Sequence, residues 1–291
     1  MSVTVEVPKE KNRESVIERL DSQPSREEAL HHIHLLTERT DIFTPMQIGF
    51  IKFSLTALRD QETISDSFRT HVATLTRNLF MAATGFTFSE IPVTTPLGYT
   101  TIGTRVEAPI AIFFINRAGL TMGLEAARYL PANTPFGEFD IHRDEKSLEA
   151  IFESANLPGS IDGCQVQILD PMDATGNSVL TAWDVICTEY IRKRQQKIIG
   201  VAFCHIIAAP LGVMEVKSQV PEAQIYTVAL DDHLTRPGET EFPPGYIVPG
   251  LGDAGNRQFG PGRTDLFIGA QDLLRRFINF DSPDRIKLTH T

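Results

Sequence analysis

With 291 residues, 42% of them apolar, and no uninterrupted apolar span near the ~20 residues of a membrane helix, the chain reads as a globular protein able to bury a sizeable core. A formal net charge of −10 argues against a broad electrostatic footprint for nucleic acid or for an anionic membrane. The N-terminal M-S-V-T-V-E-V-P-K-E lacks a basic-then-apolar secretion layout, and Cys164, Cys187 and Cys204 are odd in number and widely spaced, which points to reduced core thiols and a cytoplasmic location.

Residues 14 to 38 carry helical spacing at Val16, Ile17, Leu20, Ala29, Leu30, Ile33 and Leu36, broken at Pro24. His31 and His34 would share a face of that helix, but no third ligand is evident nearby, so they read as surface histidines. Residues 46 to 84 read as a helical pair. Short β-rich runs follow at 109–115, 137–141, 165–169, 200–207 and 224–230, separated by helix-like segments. That alternation predicts an α/β fold with a mainly parallel central sheet flanked by helices on both faces. Ligands in such sheets bind at the carboxyl ends of the strands, where Arg117, Arg143 and Asp170 all fall. The segment 145–163 shows no clear strand alternation. Arg192 to Lys197 is a basic run at the end of a helix, the place where the dipole favours cations. Beyond residue 264, Leu266, Phe267, Ile268, Leu273, Leu274, Phe277 and Ile278 are spaced for an amphipathic helix, packing on the protein or on a neighbouring subunit.

The run from Val166 to Ser178, V-Q-I-L-D-P-M-D-A-T-G-N-S, is the most informative. Ile168 and Leu169 end a buried strand, Asp170 follows at once, and a small-residue turn leads into a helix with apolar spacing from Val179. Uncapped N–H groups and the positive end of the helix dipole converge there, and Thr175 and Ser178 can add hydroxyl donors, which makes an anion pocket. No lysine follows in the Walker A position and Gly176 stands alone, so neither a phosphoryl-transfer loop nor a dinucleotide fingerprint is present. The residues suit a phosphate monoester, such as a 5-phosphoribosyl group, with Asp170 facing a ribose hydroxyl or a metal-bound water. The bland alternative is a turn whose Ser and Thr merely cap a helix. A second run, Y-I-V-P-G-L-G-D-A-G-N-R-Q-F-G from Tyr246 to Gly260, describes a loop with tight backbone demands and exposed main chain. Such a loop can read the edge of a flat heterocycle through the Ile247 carbonyl and the N–H groups around Gly252 and Ala254.

Together the two runs closely resemble the uracil phosphoribosyltransferase family, which carries D-P-M-x-A-T-G-G-S and Y-I-V-P-G-L-G-D-A-G-D-R. Other segments agree in order: L-T-A-L-R-D from Leu55 to Asp60 with Thr63, Phe68 and Arg69; V-T-T-P-L-G from Val93 to Gly98; N-R-A-G around Arg117; H-R-D-E around Arg143; and Ile225 to Asp231. The resemblance spans about residues 45 to 260 and implies a phosphoribosyltransferase domain there, with helical extensions at 1–44 and 261–291. It implies transfer of phosphoribosyl from phosphoribosyl diphosphate (PRPP) to uracil, giving uridine monophosphate (UMP) and pyrophosphate in pyrimidine salvage. PRPP would be bound by Arg117, Arg143, Asp170, Pro171, Met172, Asp173, Ala174, Thr175, Gly176, Asn177, Ser178 and Asp253, of which Arg143, Asp170 and Asp253 are the catalytic candidates. Uracil would be bound by Ile247, Gly252, Asp253 and Ala254. No protein metal site is implied, since Mg2+ would ride on the diphosphate. A mobile cover over 145–163 and a homo-oligomer complete the family picture.

Departures from the family pattern cluster at this site. Asn177 replaces a second glycine. Asp173 replaces an apolar residue, where its carboxylate would repel the ligand, point to solvent or help hold magnesium. Asn256 stands for aspartate, Asn116 precedes Arg117 in place of an apolar residue, and the loop from Leu234 to Gly245 is long. Asp173, Asn177 and Asn256 motivate one alternative, a phosphoribosyltransferase-like enzyme with a different acceptor; a second, a non-catalytic nucleotide-sensing homologue, is weakened by the retained Arg117, Arg143, Asp170 and Asp253.

Overall fold

The structure, a computed structural model, describes residues 15–84, 88–107, 109–131, 133–144, 147–260 and the backbone of 285–287. Two short helices begin it, α1 (Val16–Asp21) and α2 (Arg26–Leu30), each opened by a serine–glutamate capping box, Ser15 with Glu18 and Ser25 with Glu28. A two-residue strand β1 (His34–Leu35) follows. The helical pair is α3 (Pro45–Arg59) and α4 (Ser65–Ala83). Next comes an antiparallel hairpin, β2 (Phe88–Thr94) and β3 (Thr100–Val106), turned at Thr95–Gly98. The alternating part is β4 (Ile110–Asn116), α5 (Leu120–Ala127), β5 (Phe136–Arg143), β6 (Ala150–Asn156), β7 (Gln165–Leu169), β8 (Met172–Asp173), α6 (Asn177–Ile186) with a π-helical continuation Cys187–Lys193, β9 (Gly200–Ala208), α7 (Pro210–Gln219) and β10 (Gln224–Leu230). The described chain closes with β11 (His233–Leu234), β12 (Ile247–Val248), α8 (Ala254–Phe259) and β13 (Arg285–Lys287).

Among the described residues the central sheet runs β1-β10-β9-β7-β4-β5-β6-β13, with β8 also on β9. From β1 to β5 all pairs are parallel, and β6 and β13 add an antiparallel edge. Every residue of β4 is buried, because helices cover both faces. Ile110, Ile112 and Phe114 enter one core with α3, α4 and α5, while Ala111, Phe113 and Ile115 enter the other with α6 and α7. Trp183 and Tyr190 fill the second core completely buried. The parallel α/β expectation is met.

Three expectations change. The first segment is not one helical stretch: after α2 the chain turns extended, and His34 in β1 stacks on Tyr226 with ring centroids 4.6 Å apart, so His31 and His34 share no helical face. The segment 145–163 contains β6, paired between β5 and β13, a strand its sequence did not announce. The hairpin β2–β3 was not anticipated as a unit; its Phe88, Val93, Leu97, Tyr99 and Ile102 are exposed, so it lacks the buried face that periodicity detects. The amphipathic helix expected from Leu266 to Ile278 lies outside the described residues. The three cysteines are buried and unbridged, and burial pushes the Cys187 and Cys204 thiols up to about 12. No helix among the described residues is long and apolar enough to cross a membrane.

Candidate active site

Arg117 follows β4, Arg143 ends β5 and Asp170 follows β7, so three neighbouring strands deliver them to one edge of the sheet. There they border a cleft of ≈ 480 Å³ whose opposite wall is Tyr246, Ile247, Gly252, Asp253 and Gly255. That volume suits a small polar molecule of nucleotide size.

The 170–178 loop forms the floor. Pro171 sends its carbonyl back to the N–H groups of Ile206 and Ile207, and β8 then pairs with β9. The chain reverses at Gly176, with φ +79°, a conformation that costs an L side chain. A Cβ there would also sit 3.1 Å from the Gly212 carbonyl on α7. Gly176 caps α6 without a side-chain bond, so the first N–H groups of α6 remain available beside Thr175, Asn177 and Ser178 on the cleft wall. Met172, Asp173 and Ala174 border the cleft as well, whereas Pro171 does not.

The carboxylate of Asp173 does not reach solvent. It is 2% exposed; Oδ1 accepts from the Gly176 N–H at 3.0 Å, and Oδ2 lies 3.9 Å from His205 Nε2. His205, fully buried, uses Nδ1 on the Asp170 carbonyl at 2.8 Å. His205 thus holds the Asp170 end of the turn and Asp173 the Gly176 end, and burial excludes the solvent-facing option for the Asp173 carboxylate. Asp170 is also buried; desolvation pushes its carboxyl up to about 7, opposed by the Met172 N–H and reinforced by Asp173.

The two arginines are held differently. Arg117 Nη2 donates to Asn256 Oδ1 at 2.6 Å, and Asn256 Nδ2 donates to Asp253 Oδ2 at 3.1 Å. Asn256 thus orders a chain that an aspartate, having no N–H, could not complete. Asp253 also caps α8 through the Asn256 N–H at 2.7 Å. Arg143 donates to the Gly245 carbonyl at 3.2 Å and lies over the Tyr246 ring, 5.2 Å from its centroid. Tyr246 was missed by sequence reasoning, which treated it only as part of a motif. Asn116, too, lines the cleft; Nδ2 donates to Glu138 at 3.3 Å, and Oδ1 is buried with no partner.

The glycine loop owes its shape to distant residues. Arg59 grips Asp231 with both Nη groups, at 2.9 and 2.5 Å, and donates to the Gly250 carbonyl at 2.8 Å. Asp231 in return accepts the Gly250 N–H at 2.8 Å. Arg257 reaches back to the carbonyls of Leu58 and Asp60 and lies over Phe68, and Arg69 donates to the Gln258 carbonyl. The R-D segment at 59–60 and the arginine at 69 are therefore supports of the loop rather than members of the cleft. Ile247 and Gly252 line the cleft; Ala254 is fully buried at the start of α8 and does not. The long stretch after Leu234 is closed at its neck by Thr235, which bonds the Tyr246 carbonyl and Gly245 N–H through its backbone and the Pro243 carbonyl through its hydroxyl. Its length therefore leaves β12 in place.

No group of three or more His, Cys, Asp or Glu able to hold a metal is found among the described residues. Asp140, Asp170, Asp173 and Asp253 line the cleft.

An anion cradle at a helix N-terminus, two guanidinium groups beside it and a backbone-rich loop opposite, all at the carboxyl edge of a parallel sheet, make this a phosphoribosyltransferase of the type I fold. Comparison with known proteins narrows the class. The model of the uracil phosphoribosyltransferase family matches residues 46–261. The uracil phosphoribosyltransferase of Ureaplasma parvum serovar 3 is 36% identical over 211 residues, 72% of this chain and 95% of its own length. That of Lactiplantibacillus plantarum is 34% identical over 219 residues, 75% of this chain and 98% of its own. Among solved structures, the AQ2163 protein from Aquifex aeolicus superposes with a TM-score of 0.61 at 29% identity, covering 73% of this chain and 95% of its own. The chain belongs to the uracil phosphoribosyltransferase family.

Proposed function

We propose that the protein transfers the 5-phosphoribosyl group of PRPP to uracil, releasing UMP and pyrophosphate, as a cytoplasmic enzyme of pyrimidine salvage. The observation that carries this reading is the meeting of Arg117, Arg143, the 170–178 loop and the 246–255 loop around one cleft. The 5-phosphate would lie on the N–H groups of residues 175–178, as an anion does at a helix N-terminus. Arg117 and Arg143 would hold the diphosphate, Arg143 exchanging its Gly245 carbonyl and Tyr246 ring for phosphate oxygens. Uracil would lie against Ile247 and Gly252, with Asp253 between base and PRPP.

In the reaction the bond from uracil N1 to the anomeric carbon forms as the carbon–oxygen bond to diphosphate breaks. Pyrophosphate leaves with the electron pair, and the N1 proton, already fairly acidic, passes to solvent. The anomeric carbon becomes oxocarbenium-like, so alignment and charge placement carry most of the acceleration. Asp170 at the ribose end would face that positive charge as a carboxylate. Mg2+ bound to the diphosphate would neutralise the leaving group. Its shell would be mainly substrate oxygens and water.

The departures are compatible with uracil as the acceptor. The side chains of Asp173, Asn177 and Asn256 are engaged in bonds that shape the loops, those of Asp173 and Asn177 on the side of the 170–178 turn and that of Asn256 behind Asp253. A homo-oligomer is supported by the exposed apolar residues of the β2–β3 hairpin and by Met46, Phe50 and Phe53 along α3. The test is direct. Purified protein with PRPP, Mg2+ and uracil should yield UMP by mass spectrometry at ordinary turnover. PRPP binding without UMP would transfer the reading to a different heterocycle.

A further inference from the structure

Residues 15–44 precede the family match, yet they are built into the molecule beside its cleft. Val16 and Leu20 of α1 are fully buried. Gln23 exchanges two bonds with Leu234, donating to its carbonyl at 2.9 Å and accepting its N–H at 2.7 Å. Arg26 donates to the Leu230 carbonyl at 3.1 Å. These contacts fix α1 on the strand end that leads toward the base-side loop.

The same helix carries Arg19, 11% exposed, toward the phosphate loop. Its Nη2 donates to Asn177 Oδ1 at 3.2 Å, and its Nη1 stands 2.9 Å from Glu215 of α7. From the other side Asn177 Nδ2 donates to Glu149 at 3.1 Å, just before β6. Asn177 is the first residue of α6, 3% exposed, and its backbone N–H is among those turned to the candidate phosphate site. Both ends of its amide are therefore held by groups from outside the loop. An asparagine here would otherwise be free to turn its own oxygen onto neighbouring N–H groups, the competition that makes this residue poor inside helices. Held at both ends, it leaves those donors open.

We infer that Arg19 is a positioning residue for PRPP binding, acting through Asn177 to keep the N-terminus of α6 open to the 5-phosphate. The N-terminal segment thereby belongs to the working site. This inference rests on the phosphoribosyltransferase reading.

The test is calorimetric titration of Mg·PRPP together with steady-state kinetics, on wild type, Arg19→Lys, Arg19→Ala, Asn177→Ala and the Arg19→Ala/Asn177→Ala pair. A hydrogen bond from a charged group to a loop it orders corresponds to about tenfold in affinity. Arg19→Ala should weaken PRPP binding by about that factor while kcat and the KM for uracil stay within about twofold. The double variant should be no weaker than Asn177→Ala alone, as two members of one chain of contacts require. Arg19→Lys keeps the charge beside Glu215 and loses the planar fork, so it should fold as wild type and still bind PRPP weakly. Unchanged PRPP affinity in Arg19→Ala, additive losses in the double variant, or full affinity in Arg19→Lys would each overturn the inference. Wild-type protein that binds no PRPP would instead sink the parent reading, and this one with it.

Discussion

The phosphate loop and the base-side loop face each other across the cleft but are held in different ways. The turn at 173–176 is shaped largely from within its own strand–turn–helix unit and from the layer beneath, through Asp173 to Gly176, Pro171 to β9 and Gly176 against α7, and the remote Arg19 and Glu149 reach only Asn177 just after it. The loop after β12 depends on Arg59, 191 residues away from the Gly250 carbonyl it binds, and on Arg257 reaching back to α3. A site wall can thus be encoded locally or assembled from remote side chains, and damage should travel accordingly. Changes at the first wall should touch PRPP binding with modest cost to folding, whereas changes in the supports of the second should cost stability and base recognition together.

The largest effect is expected from removing a ligand-facing group. Arg143→Ala should weaken PRPP binding by about 1,000-fold with an unchanged melting temperature, since the side chain is only partly buried. Wild-type affinity for PRPP in this variant and in Asp170→Asn would dismantle the site assignment. Arg59→Ala comes next. It leaves Asp231, 3% exposed, without its cation, so chemical denaturation should show a loss of about 3 kcal/mol and kinetics a higher KM for uracil. If PRPP affinity fell as much as uracil affinity, the separation of the two walls would be wrong.

Gly176→Ala tests the local wall. The positive φ and the nearby Gly212 carbonyl should cost about 1–2 kcal/mol and raise the KM for PRPP about tenfold, with the KM for uracil unmoved. The smallest effect concerns pH. The Asp170 carboxyl titrates near 4 in an unfolded chain and about 7 here, so its burial is harmless at low pH and costs stability as pH rises through that window. Asp170→Asn should therefore melt about 3 °C above wild type at pH 8, with the gap closing toward pH 5, while losing PRPP binding. A gap that widened at low pH would reverse the sign of the shift.

Asp173 shows where legibility ended at the site. Its presence in the phosphate loop was plain, but its partner His205 is 32 positions further along and touches it only because β8 and β9 lie side by side. Asn256 likewise looked like a weakened aspartate until Arg117, brought from the end of β4, proved to need its oxygen while Asp253 received its N–H. Tyr246 lay within a legible motif, yet only the approach of β5 to the glycine loop places it under Arg143.

By itself the sequence determined the core alternation of strands and helices, the parallel sheet, the two loops and the strand-end positions of Arg117, Arg143 and Asp170. These follow from periodicity and from turn chemistry, which act over a few residues. It also carried the family resemblance. Only the tertiary structure decided that β6 joins the sheet beside β5 and that His34 belongs to a strand. It alone seated Arg59 and Arg257 beneath the base-side loop and α1 against Asn177. Each of those depends on contacts between residues far apart in the chain, whose geometry exists only once the sheet has brought them together.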